Sequence, residues 1–505
     1  MNQAIEFVDT TTRDGNQSLW SATGLTTPDV LAVAPVLDRV GYHAADFTSS
    51  THMAVSVRFH HEDPWERIRL VSAAMPNTPL SLITPGMRFI SWVPANEDVM
   101  DLAFRLLARN GIRRIQIADP SNDPVRIRRL AAMVRAAGVE EVVVGLTYSI
   151  SAIHTHAYYA ERAAALADCA DLDRLYLKDP GGLLTPDAVR ELGPPLLAAA
   201  GERPLELHSH CTIGLAPLVY LEGVRAGFGV LHTASGPLAR GTSQPEVLST
   251  VRDLAASGFG HRLDPEQQAI VTEHFAQLAR ARGLPAGAPR EFDAAYYRHQ
   301  LPGGMVTTTR RMLAEMRRPE LFDAVLEEVT RVRAEMGYPI IVTPVSQFVA
   351  SQAAHNVIDG ERWRTVSDET VRYFLGHYGA SPAPVDQEIA DRVLARPQAR
   401  TLAELEPLSL DGARERFGHR ISDEELLLRL TMPAEQVNAM VAERDRVASG
   451  GRARLPAARP GRSPLVNLLA ELERRPALAR VEIVKDDERV VWRRRPRQRE
   501  EAAGA

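Results

Sequence analysis

The chain has 505 residues, of which 45% are hydrophobic and 24% are charged, and its formal net charge is -5. These values are typical of a globular protein, and the mild acidity disfavours nucleic acid as the main partner, because proteins that track phosphates are usually basic. We expect no membrane span, since no apolar stretch reaches the roughly 18 residues that a bilayer requires. No secretory signal is visible, and two cysteines (Cys169 and Cys211) fit a reducing compartment, so we expect a cytoplasmic protein.

Eight short apolar or β-branched runs alternate with stretches of helical periodicity in the first half of the chain. Each run ends in polar or turn residues; the runs cover residues 5–11, 43–49, 80–85, 114–120, 142–148, 174–180, 204–210 and 230–235. Eight strand–helix repeats predict an α/β fold, a closed (β/α)8 TIM barrel over residues 1–270. An open doubly wound sheet is the alternative, but no GxGxxG motif follows the first strand.

Beyond about residue 260 the pattern becomes mostly helical. Residues 307–337 and 387–447 carry apolar residues at helical spacing, which predicts a second, mostly α-helical domain over residues 271–447. Residues 448–505 begin with a Gly/Pro/Arg linker, continue with a short helix and a possible hairpin, and end in a charged tail.

Lysine is almost absent from the chain. It occurs only at Lys178 and Lys485, so all but two of the 59 basic residues are arginine. Arginine can replace lysine as a surface charge, but it is effectively never deprotonated, whereas a buried lysine can become a neutral nucleophile. Lys178 is therefore either an ordinary surviving lysine or a residue retained for its chemistry.

Polar side chains collect at the C-terminal ends of the predicted strands, where a barrel has its active site. Asp14 follows the first strand, Lys178 ends the sixth, His208 and His210 end the seventh, and Thr242 lies beyond the eighth. Two histidines on one side of a strand and a carboxylate form a site for a divalent metal such as zinc, manganese or cobalt. Because a protonated Lys178 fits badly beside a cation, we expect this lysine to be carbamylated by CO2 and to act as an anionic ligand.

Seven motifs in order along the chain carry a family resemblance. They are DTTTRDGNQSL (9–19), RFHHEDPWER (58–67), YLKDPGGLLTP (176–186), HSHCTIG (208–214), GTSQPE (241–246), YRHQLPGGM (297–305) and VTPVSQ (342–347). Together they resemble the carboxyltransferase component of biotin-dependent carboxylases, the family of pyruvate carboxylase, transcarboxylase and oxaloacetate decarboxylase. The resemblance implies a TIM barrel capped by a funnel-like helical domain, usually as a dimer. It also implies a metal bound by four residues, Asp14, carbamylated Lys178, His208 and His210.

The same resemblance implies how the reaction proceeds. Thr242 would carry a proton between substrate and biotin, and Arg13 and Gln17 would hold the biotin end or organise the site. Lys485 lacks the flanking methionines of a biotin attachment site. Carboxybiotin is therefore expected on a separate biotin carboxyl carrier protein, with a biotin carboxylase subunit as a further partner.

Three departures from the family pattern concern the acceptor pocket. Pyruvate-using members carry an arginine in an LLRGxN segment, where LITPGMR (82–88) has Pro85, and Arg88 is the nearest candidate to replace it. An aspartate and a tyrosine of the family are replaced by Ala54 and Trp92. Loss of a bidentate arginine removes the natural partner of an α-keto acid carboxylate. We therefore expect these residues to line an altered pocket for an enolisable carbonyl acceptor other than pyruvate.

Two other functions remain open at this point. Metal-dependent aldolases and lyases of a related barrel family also use an RDG loop and an HxH pair, but they resemble this chain over the barrel only. A non-catalytic scaffold of a carboxylase complex is the other alternative, which the retained Thr242 and Lys178 disfavour.

Overall fold

The structure, a computed structural model, describes residues 4–90, 94–448, 480–485 and 488–493. Residues 1–445 form one compact unit and residues 446–505 form another. Within the described ranges, no helix combines the length and the apolar character that a membrane crossing requires.

Eight parallel strands close into a barrel in chain order, with the first strand next to the eighth. They are β1 (Glu6–Asp9), β2 (Ala44–Ser49), β3 (Leu80–Thr84), β4 (Ile112–Ile117), β5 (Glu141–Thr147), β6 (Arg174–Asp179), β7 (Leu205–Ser209) and β8 (Val230–Thr233). Each strand lies within or overlaps one of the eight runs identified in the sequence, so the predicted TIM barrel is confirmed.

Helices follow the strands and cover the outside of the barrel. They are α1 (Asn16–Trp20), α2 (Thr27–Leu31), α3 (Ala34–Leu37), α4 (Ser50–Val55), α5 (Pro64–Ala74), α6 (Glu97–Arg109), α7 (Pro124–Ala136), α8 (His156–Ala164), α9 (Pro186–Ala200), α10 (Ala216–Arg225) and α11 (Val247–Ala256). Several helix starts follow from local sequence, because Asp63, Asp123 and Thr185 each cap a helix whose first residue is proline.

The chain continues as a series of helices. They are α12 (Pro265–Arg282), α13 (Tyr296–His299), α14 (Gly303–Glu315), α15 (Phe322–Glu335), α16 (Val345–Ile358), α17 (Asp368–Phe374), α18 (Gln387–Leu394), α19 (Pro397–Ala403), α20 (Leu410–Phe417), α21 (Asp423–Thr431) and α22 (Ala434–Ala448). Buried side chains between residues 301 and 402 form a second hydrophobic core, separate from that of the barrel. The separate helical domain over residues 271–447 stays a prediction, since residues 1–445 form one compact unit and Val271 and Phe275 of α12 pack in the barrel core.

Hydrogen bonds and packed side chains join the helical segment to the barrel at several places, among them the barrel mouth and the side of the barrel. Near the barrel mouth, Arg333 of α15 donates to Ser149 Oγ (2.7 Å), and Ser149 donates to Gln300 Oε1 (3.0 Å). On the side of the barrel, the indole of Trp65 donates to the carbonyl oxygen of Glu424 (3.2 Å), and Leu427 and other side chains of α21 and α22 join the barrel core. The first connection lies on the loop after β5, at the end of the barrel where the site lies.

After the end of α22, the described residues of the unit 446–505 form an antiparallel hairpin of β9 (Arg480–Lys485) and β10 (Glu488–Arg493). Lys485 pairs with Glu488 at the turn, and Arg480 pairs with Arg493 at the open end. The possible hairpin noted in the sequence is thus present.

Candidate active site

The four side chains expected to bind a metal meet at the C-terminal end of the barrel. His208 Nε2 and His210 Nε2 lie 3.2 and 3.4 Å from Asp14 Oδ2. Lys178 Nζ lies 4.0 Å from the same carboxylate oxygen and 3.4 Å from His208 Nε2. All four residues are buried, and ligand atoms of Asp14, His208 and His210 lie within 4.8 Å of one another. Unprotonated nitrogens and a carboxylate oxygen repel each other at these distances unless a cation or a hydrogen-bond donor lies between them, so the donor set fits a divalent metal.

Local structure explains why these residues converge. Lys178 and His208 are register partners on the neighbouring strands β6 and β7, which places both at the same height inside the barrel. Asp14 lies on a π-helical turn, Thr11–Gly15, directly after β1. Such turns occur often at functional sites because they add a residue to the helix and redirect a side chain.

Arg13 supports the carboxylate of Asp14 from the side. Its Nη2 lies 3.3 Å from Asp14 Oδ2, and its Nε donates to Asp46 Oδ2 (2.8 Å). Burial disfavours the ionised form of Asp14, but the neighbouring guanidinium of Arg13 opposes this effect most strongly, and the pKa of this carboxyl lies well below its usual range. Asp14 is therefore ionised at neutral pH. Asp46 was not singled out from the sequence, although a carboxylate in the buried strand HAADFTS requires a cationic partner.

Burial prepares Lys178 for reaction. It lowers the pKa of the amine to about 8, against the attraction of Asp14 and with the help of Arg13. At pH 7 about one such lysine in ten is neutral, compared with fewer than about one in a thousand at the ordinary value of 10.5. Only a neutral amine attacks CO2, so this environment suits carbamylation.

Gln244 also lies in this cluster, and the sequence did not single it out, although it lies in the quoted motif GTSQPE. Its Nε2 lies 3.1 Å from Asp14 Oδ2, 2.8 Å from His210 Nε2 and 3.4 Å from His208 Nε2. The hydroxyl of Thr10 donates to the amide oxygen at 2.8 Å, which fixes the orientation of the amide. The two hydrogens of this amide nitrogen are thus shared among the three acceptors that a metal would otherwise bind.

Thr242 lies beside this cluster. Its carbonyl oxygen accepts a hydrogen bond from His210 Nδ1 (2.6 Å), which puts the lone pair of the neutral ring on Nε2, where a metal ligand needs it. Its hydroxyl donates to the carbonyl oxygen of Ser18 (2.8 Å). A Cβ atom added to Gly303, the first residue of α14, would overlap Thr242 Cγ2, so the helical segment covers this threonine directly. Gln17 lies on α1 and is partly exposed.

The residues expected in the acceptor pocket lie in different surroundings. The guanidinium of Arg88 donates to the carbonyl oxygen of His377 and lies over the ring of Tyr378, with 4.2 Å from its central carbon to the ring centre. Ala54 lies on α4 and packs against the barrel core. Trp92 lies outside the described residues. The roles of all three in binding an acceptor stay predictions.

Comparisons with known proteins show which proteins this chain is similar to. A family model described as a conserved carboxylase domain matches residues 296–461. One subunit of the pyruvate carboxylase of Methanocaldococcus jannaschii is 34% identical over 391 residues, which cover 77% of this chain and 68% of that protein. The 2-oxoglutarate carboxylase large subunit of Hydrogenobacter thermophilus is 30% identical over 448 residues, which cover 87% of this chain and 68% of that protein.

A solved structure shares the fold. The carboxyl transferase domain from Rhizobium etli pyruvate carboxylase, determined with pyruvate, matches with a TM-score of 0.78 and 23% identity. The match covers 87% of this chain and 78% of that one, so it extends beyond the barrel into the helical segment.

Proposed function

The chain belongs to the carboxyltransferase family of biotin-dependent carboxylases, and on that premise we propose that it moves CO2 between carboxybiotin and an enolisable carbonyl acceptor. The observation that carries the proposal is the meeting of Asp14, Lys178, His208 and His210 in one buried cluster beside Thr242. This cluster combines a place for a cation with a hydroxyl that can move a proton.

Asp14, His208, His210 and carbamylated Lys178 would hold the divalent metal. When bound, the metal supplies Lewis-acid chemistry, that is, it polarises the carbonyl group of the acceptor. Carbamylation joins the neutral amine of Lys178 to the carbon of CO2 and releases one proton, so a basic side chain becomes an anionic oxygen ligand. Arginine cannot undergo this reaction, which accounts for a lysine at this position.

Thr242 would move the proton. The N–C bond of carboxybiotin breaks and releases CO2, and the ureido nitrogen needs a proton. The α-carbon of the acceptor gives a proton to Thr242 Oγ1, which passes its own proton to that nitrogen. The resulting enolate carbon then forms a bond to CO2. A hydroxyl can donate and accept a hydrogen bond at once, and Thr242 is held in place by its bond to Ser18. Arg13 and Gln17 would organise the biotin end of the site.

The acceptor that we propose is not pyruvate. Pro85 stands where pyruvate-using members have the arginine that holds the carboxylate, and Ala54 replaces an aspartate. Arg88, three positions after Pro85 in the sequence, already contacts the carbonyl oxygen of His377 and the ring of Tyr378. These replacements are consistent with an acceptor that does not need an arginine to hold its carboxylate.

We also propose that carboxybiotin arrives on a separate biotin carboxyl carrier protein, loaded by a biotin carboxylase subunit, and that the chain acts as a homodimer. Lys178 is buried inside the barrel, so a biotin ligase cannot reach its amine to attach biotin there. A streptavidin blot of the chain co-expressed with biotin ligase should be negative, and transfer should require added carrier. Covalent biotin on this chain would contradict the separate carrier.

The central experiment is a screen of 2-oxo acids and other carbonyl compounds with carboxybiotin on a carrier. We expect one acceptor to react at least about tenfold faster than pyruvate. Thr242→Ala should lower the rate by about 100-fold or more, as expected for loss of a general acid–base group, whereas Thr242→Ser keeps the hydroxyl and most of the rate.

The other outcomes are equally informative. Cleavage of a carbonyl substrate without any biotin would favour an aldolase or lyase. A metal-loaded chain that transfers nothing would favour a scaffold, and rapid carboxylation of pyruvate would refute the proposed acceptor class.

A further inference from the structure

A continuous series of hydrogen bonds runs from His208 into the interior of the barrel, away from the proposed metal. His208 Nδ1 lies 3.2 Å from Nδ1 of His232 on β8. His232 Nε2 lies 2.8 Å from Glu206 Oε2, and Arg114 Nη2 donates to the same oxygen at 2.6 Å. Arg114 also donates to Glu141 through Nη1 (2.7 Å). TIM-barrel interiors are usually filled by branched apolar side chains, so this polar series is a departure that requires an explanation.

The position of every proton in the series follows from Arg114. A guanidinium keeps its charge and can only donate, so Glu206, which accepts from it at 2.6 Å, is a carboxylate and can only accept. His232 must therefore carry a proton on Nε2, the nitrogen that faces Glu206. Arg114 already compensates the carboxylate, and a second cation in this fully buried place would carry a large desolvation cost, so the ring of His232 is neutral.

It follows that His232 Nδ1 has a lone pair and can only accept. His208 must then donate from Nδ1, which leaves the lone pair of His208 on Nε2. That nitrogen is the one 3.2 Å from Asp14 Oδ2 and 3.4 Å from Lys178 Nζ. A metal ligand needs its lone pair on the nitrogen that faces the ion, and the alternative tautomer of His208 would place a proton there instead.

We propose that His232 and Glu206 are positioning residues, which hold His208 in the tautomer and ring orientation that a metal ligand requires. His210 is held differently, by donation from Nδ1 to the carbonyl oxygen of Thr242. The two histidines of the HxH motif thus receive separate support, one from the backbone and one from the barrel interior. The inference rests on the metal site of the proposed function and adds two residues that do not touch the metal.

The test is metal affinity rather than turnover. His232→Phe keeps a ring of similar shape and removes the acceptor for His208, and we expect the dissociation constant for zinc or cobalt to rise 10- to 100-fold. His232→Asn restores an acceptor at the position of Nδ1 and should recover most of the affinity. Tyr176→Phe is the matched control, because the Tyr176 hydroxyl is buried without a hydrogen-bond partner and the ring stays stacked on His232 at 5.3 Å.

A second measurement needs no variant and so does not depend on whether His232→Phe folds. In metal-free wild-type protein labelled with nitrogen-15 histidine, NMR should show His208 protonated on Nδ1 and His232 on Nε2. Protonation of His208 on Nε2 overturns the proposal, as does a His232→Phe variant that binds metal as tightly as the wild type. If the wild-type chain itself binds no divalent metal, the metal site of the proposed function fails instead, and the NMR result still decides the tautomer.

Discussion

Lys178 shows how a single residue can depend on its surroundings for its chemistry. The ammonium form is disfavoured because burial outweighs the attraction of Asp14, and the pKa falls to about 8. The neutral amine lies 3.4 Å from His208 Nε2, so a carbamate formed on it would lie beside the ligands already present. The residue type that is nearly absent from the rest of the chain thus occupies a buried position that favours its neutral, reactive form.

Replacing Lys178 by arginine should abolish the dependence of metal binding on CO2. In the wild type, removal of dissolved CO2 should weaken metal affinity and bicarbonate should restore it. Lys178→Arg should bind metal at least about tenfold more weakly under both conditions, because a guanidinium is not carbamylated and keeps its charge. Lys485→Arg, the same substitution at the other lysine, is the control and should behave as the wild type. Equal metal affinity in the Lys178→Arg chain would rule out the carbamate ligand.

Gln244 should contribute more to the stability of the metal-free protein than to that of the metal-loaded protein. Its amide nitrogen is shared among Asp14, His208 and His210 in the absence of metal, and a bound cation would satisfy the same three acceptors. Gln244→Leu should therefore destabilise the metal-free chain by about 1–3 kcal/mol. The increase in Tm on adding metal should be larger in this variant than in the wild type. The control is Gln116→Leu, at another buried barrel glutamine, which bonds Ser81 and should leave that increase unchanged.

At the scale of elements, the strands and the residues at their ends were predictable, and the barrel interior was not. Strand boundaries follow from apolar runs that end in turn residues, and the barrel topology brings those ends together. Asp46, Glu206 and His232 lie within the apolar runs that predict the strands. A single polar residue in such a run does not show from the sequence which partner it has. Their partners Arg13 and Arg114 come from other strands or loops, so only the closed barrel shows that each charge is paired.

Gly303 at the start of α14 should be sensitive to any side chain. A Cβ atom there would overlap Thr242 Cγ2, so Gly303→Ala must displace either the helix or the proposed proton carrier. We expect a loss of about 1–3 kcal/mol in stability, as for other overpacked sites, and a lower transfer rate. Gly304→Ala is the matched control, because its added Cβ has no neighbour within 4 Å. It should gain up to about 1 kcal/mol through helix propensity. Equal activity of the two variants would show that α14 does not constrain Thr242.

At the scale of the whole molecule, the return of the chain to the barrel could not be predicted from motifs. Residues 301–402 build their own core, and then Leu408 exchanges backbone hydrogen bonds with Pro94 and Asn96 beside α6. Helix α21 continues this contact through Glu424, which bonds Arg69 at 2.7 Å. No periodicity distinguishes these helices from those of the second core, because both sets present one apolar face. Their partners are set by tertiary packing alone.

Buried histidines spread over the molecule should make it less stable in mild acid. Burial, with a nearby arginine in each case, lowers the pKa of His52 and His154 to about 3 and that of His299 to about 4. Between about pH 6.5 and about pH 4 these rings bind protons mainly in the unfolded chain, so the free energy of unfolding falls as the pH falls through this range. Between about pH 7 and about pH 5.5 the three histidines together lower the free energy of unfolding by about 4 kcal/mol.

Asp9 has the opposite effect on the free energy of unfolding, because burial raises its pKa to about 7. As the pH falls, the folded chain therefore binds a proton at Asp9 before the unfolded chain does. Its contribution offsets about 2 kcal/mol of the loss, so these four groups together lower the free energy of unfolding by about 2 kcal/mol. Urea unfolding at the two pH values measures the difference. In His154→Gln the difference should shrink by about 1 kcal/mol, since one of the three rings no longer titrates in the unfolded chain. A variant with the same pH dependence as the wild type would show that His154 is protonated in the folded protein.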